Sequence, residues 1–250
     1  MRIGAQFFTL RDYCKDLESF SESLKKVADI GYKYVQISGT CAYEPDWLKA
    51  ELDKNGLECV LTHIPVNRLC ESPTEVAREH DVFNCKYIGL GWYDFTKEDI
   101  KGSISGFVDK FTAVADVFKA HNKTFMYHNH AMEFRKLDNK PIIQHLSELM
   151  PAEDLMFILD TYWIQKAGGD PAYWIEKFKD RIPCIHLKDC TWDSKMAVVG
   201  EGNINFEKAF EKAEASNVKY MLVEQDDCNG ENPFDCLERS YKNLNAYGFE

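Results

Sequence analysis

The chain has 250 residues, is 45% hydrophobic and carries a net charge of −11. That composition supports a large core and excludes a disordered chain, and it argues against a binder of nucleic-acid phosphates, which would need Lys and Arg to neutralise a polyanion. The nine cysteines are odd in number and none is in CxxC spacing, so no disulfide framework is expected. The opening MRIGAQFFTLRDYC is too polar for a signal peptide, and no apolar run approaches the roughly 20 residues of a membrane span. A cytoplasmic protein with no membrane partner is the expectation.

RIGAQFF reads as a first strand. A helix follows in SFSESLKKVADIG, with Leu24, Val27 and Ala28 at helical spacing and Gly31 as its stop. YKYVQIS is the second strand, and DWLKAELDKNG is a helix closed by Gly56. LECVLTHIP is the third strand, SPTEVAREHDVFN a helix, and CKYIGLG the fourth strand. From Ile104 to His121 a helix turns Phe107, Phe111, Val114 and Phe118 to one side. KTFMYHNH is the fifth strand, and Pro141 starts a helix in PIIQHLSELM, where its missing N–H costs little. LMFILD is the sixth strand; Asp170 caps and Pro171 begins the helix DPAYWIEKFKDR. IPCIHLKD, NFEKAFEKAEASN, VKYMLVEQD and PFDCLERSYKNLNAYG complete two further strand–helix units. Eight such units without a linker predict an α/β fold: a single domain over 1–250, a (β/α)8 TIM barrel. A doubly wound open sheet is the other candidate. It wants a glycine-rich turn after an early strand, and TLRDYCKD has no glycine.

In such a barrel, chemistry sits where strands give way to βα loops. The polar residues at those ends are Gln6, Gln36, His63, His128 with His130, Asp160, His186 with Lys188, and Glu224. Alternate residues share a face of a strand, so His128 and His130 are expected to point the same way. Parallel strands are usually apolar throughout. Ligand-type residues closing four consecutive strands therefore stand out. Asp160, His186 and Glu224 follow apolar runs on adjacent strands, and His128 adds a second imidazole. Two imidazoles and two carboxylates would suit one divalent metal ion, with Mn, Zn or Co favoured over Mg because imidazole is a borderline ligand. Each residue alone has a plainer reading: His186 as a hydrogen-bonded strand end, Asp160 as a cap for the next segment, Glu224 as a partner of Lys188.

GAQFFTLRD at the start, YHNHAMEF in the fifth unit, LD at Asp160, HLKD at His186 to Asp189, VGEGNINF, and VEQD at Glu224 occur in that order. In these segments the chain resembles the sugar phosphate isomerase/epimerase family, the xylose-isomerase-like barrels, over nearly its whole length. The resemblance implies one divalent ion, held in the family's ketose epimerases by a Glu, an Asp, a His and a Glu from strands five to eight. The last three match Asp160, His186 and Glu224. Where the family has its first Glu this chain has His128. Either His128 serves or Glu133 folds back from the loop; the strand position favours His128, because a strand holds a ligand more firmly than a loop does.

The activity implied is isomerisation or epimerisation of a ketose, keto-sugar or polyol ketone by removal of a proton next to a polarised carbonyl. Glu224 is the expected base, Glu133 or Lys188 the second acid/base, and His63 an electrophile or hydroxyl binder. Gln6, Gln36, Trp92, His130, Tyr162 and Glu201 are expected at the substrate. Glu201 would repel a phosphate and no Arg cluster lies near the last two units, so an unphosphorylated carbohydrate is expected. The same metal and base would serve a sugar lyase or dehydratase, and the missing first Glu keeps a catalytically inactive sugar-binding barrel open. Apolar outer helix faces would allow a homodimer.

Overall fold

The computed structural model describes residues 1–249. Eight parallel strands close a barrel: β1 (Arg2–Gln6), β2 (Tyr34–Ile37), β3 (Glu58–His63), β4 (Tyr87–Leu90), β5 (Thr124–His128), β6 (Met156–Asp160), β7 (Cys184–Leu187) and β8 (Tyr220–Val223). They neighbour one another in chain order, and β8 returns to β1 in a register running from Arg2 opposite Tyr220 to Ala5 opposite Val223. Gly4 sits beside that seam. A Cβ there would lie 2.6 Å from the Tyr34 carbonyl oxygen and 2.8 Å from Leu222 Cδ2. The fold is the expected (β/α)8 barrel.

The surrounding helices are α1 (Leu17–Ile30), α2 (Pro45–Asn55), α3 (Val66–Glu71), α4 (Pro73–Val82), α5 (Ile100–Ala120), α6 (Ile142–Leu149), α7 (Thr161–Lys166), α8 (Pro171–Lys177), α9 (Phe206–Ala215) and α10 (Pro233–Ala246). Their ends follow local chemistry. Asp16 caps α1 by accepting from the Ser19 N–H, Gly56 closes α2 in the left-handed region at φ 64°, and Asp170 caps α8 ahead of Pro171. Two helices were not expected from the sequence. α3 and α7 are only six residues long, too short for an apolar period to show. Both lie at the strand C-terminal end of the barrel, where the site is built.

Two apolar layers set the direction of every strand residue. A small cluster inside the barrel contains Leu61, Tyr87, Met126, Ile158, Cys184, Tyr220 and Leu222. A larger one fills the space between strands and helices, with Phe107, Phe111, Phe125, Tyr127 and Phe157 among its members. On β5, Phe125 and Tyr127 therefore face the helices while Met126 faces the barrel axis. Strand alternation carries the axis-facing set upward from Met126 to His128, Ile158 to Asp160, Cys184 to His186 and Leu222 to Glu224. The fold thus turns a one-dimensional parity into four ligand-type side chains at one height. No helix among the described residues is long and apolar enough to cross a membrane.

Candidate metal centre

His128, Asp160, His186 and Glu224 are all buried, and one ligand atom from each lies within 4.8 Å of the others. Asp160 is directly opposite His186 in the β6–β7 register, and Glu224 follows the last paired residue of β8. His128 Nε2 is 3.1 Å from Asp160 Oδ2, and His186 Nδ1 is 2.8 Å from Glu224 Oε2.

The partners on the far side of each ring decide what those short distances mean. His128 Nδ1 is 3.2 Å from the Gly91 carbonyl oxygen, which can only accept, so Nδ1 carries the hydrogen. His186 Nε2 is 2.7 Å from Gln36 Oε1, again an acceptor. In the neutral rings, the nitrogens that face Asp160 and Glu224 are then lone pairs. Each looks at a carboxylate oxygen across about a hydrogen-bond length with no hydrogen between. His186 Nδ1 and Glu224 Oε2 have no hydrogen-bond partner of proper geometry among the described residues, although both are buried. Two acceptors held this close require a proton or a cation between them. Outer acceptors that fix the imidazole tautomer are also how metal-ligating histidines are oriented. Metal–ligand bonds of about 2.0–2.2 Å put opposite ligands roughly 4 Å apart. The observed cluster is close to that size, so the donor set fits a divalent ion.

The carboxylates are tethered from behind. Asp160 Oδ1 accepts from the Trp163 N–H, capping α7, which leaves Oδ2 for the site. Glu224 Oε1 accepts from Gln6 Nε2 at 3.0 Å. Burial would raise the pKa of both, but the Lys188 ammonium, seconded by the imidazoles, holds Asp160 low and Glu224 well below the usual carboxylate range. Lys188 Nζ is 3.4 Å from Asp160 Oδ2, 3.1 Å from Glu224 Oε2 and 2.8 Å from Asp226 Oδ2. Burial works against its charge, but the three carboxylates raise its pKa overall, so it stays an ammonium.

A cavity of about 410 Å³ opens above this cluster, within the size range of small-molecule sites. His128 and Glu224 form part of its floor, and Phe8, Ser38, His63, Trp92, His130, Lys188 and Asp226 line its walls. His63 stands 5.4 Å from the His128 ring and 5.6 Å from the His186 ring, centroid to centroid. Burial, with the neighbouring imidazoles, pushes its pKa well down, so it is neutral. His130 lies just beyond β5, edge-on to His128 at 4.8 Å, and burial holds its pKa at about 3. Trp92 is 52% exposed at the rim.

Several expectations are corrected. Glu133 does not fold back to the metal cluster. It is fully buried, accepts from the Tyr127 hydroxyl and the His130 N–H, and so braces the loop after β5 from the outer side of the barrel. This removes its role as ligand or second acid/base. Gln6 and Gln36 do not line the cavity; they stand behind Glu224 and His186 and orient them. Tyr162 is buried away from the cavity, its hydroxyl donating to the Ser194 carbonyl. Glu201 points outward into an exposed ion pair with Arg239. Its loop is instead gathered by Asp189, whose carboxylate accepts from the N–H groups of Cys190, Gly200, Gly202 and Ile204.

The sequence reading missed Asp226 and Asn129. Asp226 is two residues past Glu224, and the strand parity that selected Lys188 would have found it. Asn129 Oδ1 accepts from the Asp160 N–H and ties β5 to β6, a contact without a periodic signal.

A closed parallel barrel with a His–Asp–His–Glu cluster at the C-terminal mouth of its strands defines the class. Residues 24–240 match the Xylose isomerase-like TIM barrel family, and the chain belongs to it. Among solved structures, a sugar phosphate isomerase/epimerase from Parabacteroides distasonis is similar with a TM-score of 0.84 at 23% identity, over 97% of this chain and 97% of that one. An L-ribulose 3-epimerase is similar at a TM-score of 0.76 and 13% identity, over 98% and 93%. For a probable 3-DHS dehydratase from Bacillus anthracis the values are 0.74 and 18%, over 98% and 99%. At such identities the likeness shows the fold. No curated protein matches the sequence.

Proposed function

We propose that this chain is a metal-dependent isomerase or epimerase that removes a proton next to the carbonyl of an unphosphorylated ketose, keto-sugar or polyol ketone. The observation that carries the reading is the pair of imidazole nitrogens held 3.1 and 2.8 Å from two carboxylate oxygens beneath the cavity. His128, Asp160, His186 and Glu224 would hold the ion, with Mn, Zn or Co favoured by the mixed donor set. A bound divalent ion supplies Lewis-acid polarisation of the carbonyl.

The chain's own residues do the rest. Glu224 reaches the cavity from the cluster and takes the proton as base. Lys188 offsets the negative charge that develops on the substrate oxygen, and neutral His63 donates a hydrogen bond to a carbonyl or hydroxyl. The Trp92 ring and Phe8 offer apolar faces for the C–H side of a sugar. Lys188 is the only cationic side chain among the described lining residues and is already shared by three carboxylates, which supports a neutral substrate over a phosphate ester. A cytoplasmic setting and self-association through outer helices are parts of the same proposal.

A dehydratase or lyase reading has one observation in its favour. Asp226 lines the cavity, and burial, with Glu224 beside it, raises its pKa to about 6, suited to protonating a leaving hydroxyl. Incubating ketoses and keto-sugars with the metal-loaded protein in deuterated water separates the two. Isomerisation leaves the formula unchanged and places deuterium on carbon; dehydration removes one water. Elemental analysis tests the centre itself. Wild type grown with ample metal should hold about one ion per chain, and Asp160→Ala and His186→Ala should each hold less than about a tenth of that. A metal-free wild type would sink the proposal.

A further inference from the structure

The oxygen atoms of the candidate ligand set already have a tenant. Lys188 Nζ approaches Asp160 Oδ2 and Glu224 Oε2, the same two oxygens that face the imidazole lone pairs. Its best partner is neither of these. Asp226 Oδ2 is nearer, at 2.8 Å, and makes a hydrogen bond of good geometry with the ammonium. The other Asp226 oxygen, Oδ1, is buried without a partner among the described residues. Asp226 belongs to the cavity wall and not to the four-residue cluster. One ammonium is thus shared by two acceptors of the metal cluster and one acceptor beside it.

Two cations drawn to the same oxygens repel each other, and in a buried site that repulsion is weakly screened. The lysine stem is long and flexible, so its charged end can shift by an ångström or two without moving β7. From this geometry we infer that Lys188 is a tethered competitor of the divalent ion for Asp160 and Glu224, and that Asp226 is the alternative seat to which the ammonium withdraws when an ion binds. The chain thereby sets its own metal affinity. Three carboxylates with one ammonium leave two negative charges, which a divalent ion balances once Lys188 has drawn back from Asp160 and Glu224 and rests on Asp226 alone. The inference rests on the metal reading above.

The test is calorimetric titration of Mn²⁺ into chelator-stripped full-length protein at fixed pH and ionic strength, with no turnover required. Lys188→Met keeps the length of the side chain and removes the charge; it should bind Mn²⁺ at least about tenfold more tightly than wild type. Asp226→Asn removes the second seat and should weaken binding roughly tenfold with Lys188 present. In the Lys188→Met background the same Asp226→Asn change should cost less than about threefold, because there is no ammonium left to seat. Lys188→Gln replaces Lys188→Met if circular dichroism shows the latter unfolded. Equal or weaker binding by the Lys188 variant overturns the inference while the metal site stands. So does an Asp226→Asn effect of the same size with and without Lys188, which would mean a simple additive field. If wild type binds neither Mn²⁺ nor Zn²⁺ nor Co²⁺, the metal reading fails and this inference fails with it.

Discussion

Gln36 and the Gly91 carbonyl choose which nitrogen each site imidazole turns toward the carboxylates. Gln36 touches neither the cavity nor a carboxylate of the cluster, yet it keeps the His186 Nδ1 lone pair aimed at Glu224. Gln36→Leu keeps much of the volume and removes the acceptor. Metal affinity should fall about 10–100-fold, read by competition with a chromogenic chelator, while the circular dichroism spectrum is unchanged. An unaltered affinity would show that the tautomer is fixed by something else. His128 was legible at this scale because it ends an apolar strand. The fate of Glu133 was not. Six residues separate it from Tyr127, and only the turn Met132–Phe134 decides that its carboxylate meets the tyrosine hydroxyl on the helix side of the barrel.

At the scale of the element, polar side chains fasten helices and loops to the strands that carry the site. Asp189 shows this most plainly. One buried carboxylate gathers four backbone N–H groups, so the residue after Lys188 organises the loop that leads to α9. His80 does the same for α4 and β3. Its Nδ1 donates to the Val76 carbonyl, and in the neutral ring Nε2 then accepts from the Thr62 hydroxyl, both at 2.7 Å. Burial keeps the ring neutral, lowering the His80 pKa to about 4. The unfolded chain takes up this proton from about pH 6.5 downward. Between those values the unfolded state binds more protons, so His80 contributes fully above about pH 6.5, and its contribution is lost as the pH falls toward 4. Urea unfolding at pH 7 and pH 5 should show wild type losing about 2 kcal/mol more than His80→Asn between the two. An equal loss in both proteins would contradict the assignment. The short helices α3 and α7 belong to this scale as well. Asp160 was read as a cap or a ligand; Oδ1 makes the cap, and Oδ2 stands in the candidate cluster, free for the second duty.

The whole molecule depends on closure of β8 against β1, because Glu224 and Gln6 meet across that seam. Gly4 lets β1 fit between both its neighbours; a Cβ there would lie 2.8 Å from the Leu222 side chain of β8 and 2.6 Å from the Tyr34 backbone of β2, and backbone cannot swing aside as a side chain can. Gly4→Ala should therefore cost about 1–3 kcal/mol or more in chemical unfolding, with a matching fall in melting temperature. A variant as stable as wild type would mean that the barrel adjusts more freely there than its packing implies.

The order of strands and helices was written in the sequence, because parallel strands buried on both faces read as apolar runs and their covering helices as amphipathic ones. So were Asp160, His186 and His128, since a ligand-type residue at the end of such a run is conspicuous. Tertiary structure alone decided that Glu133 is a brace, that the two glutamines stand behind the ligands, and that Asp226 shares the Lys188 ammonium with the cluster. The physical reason is that closing a barrel sets side by side residues up to 218 positions apart. Hydrogen bonds across that distance leave no local pattern in the chain.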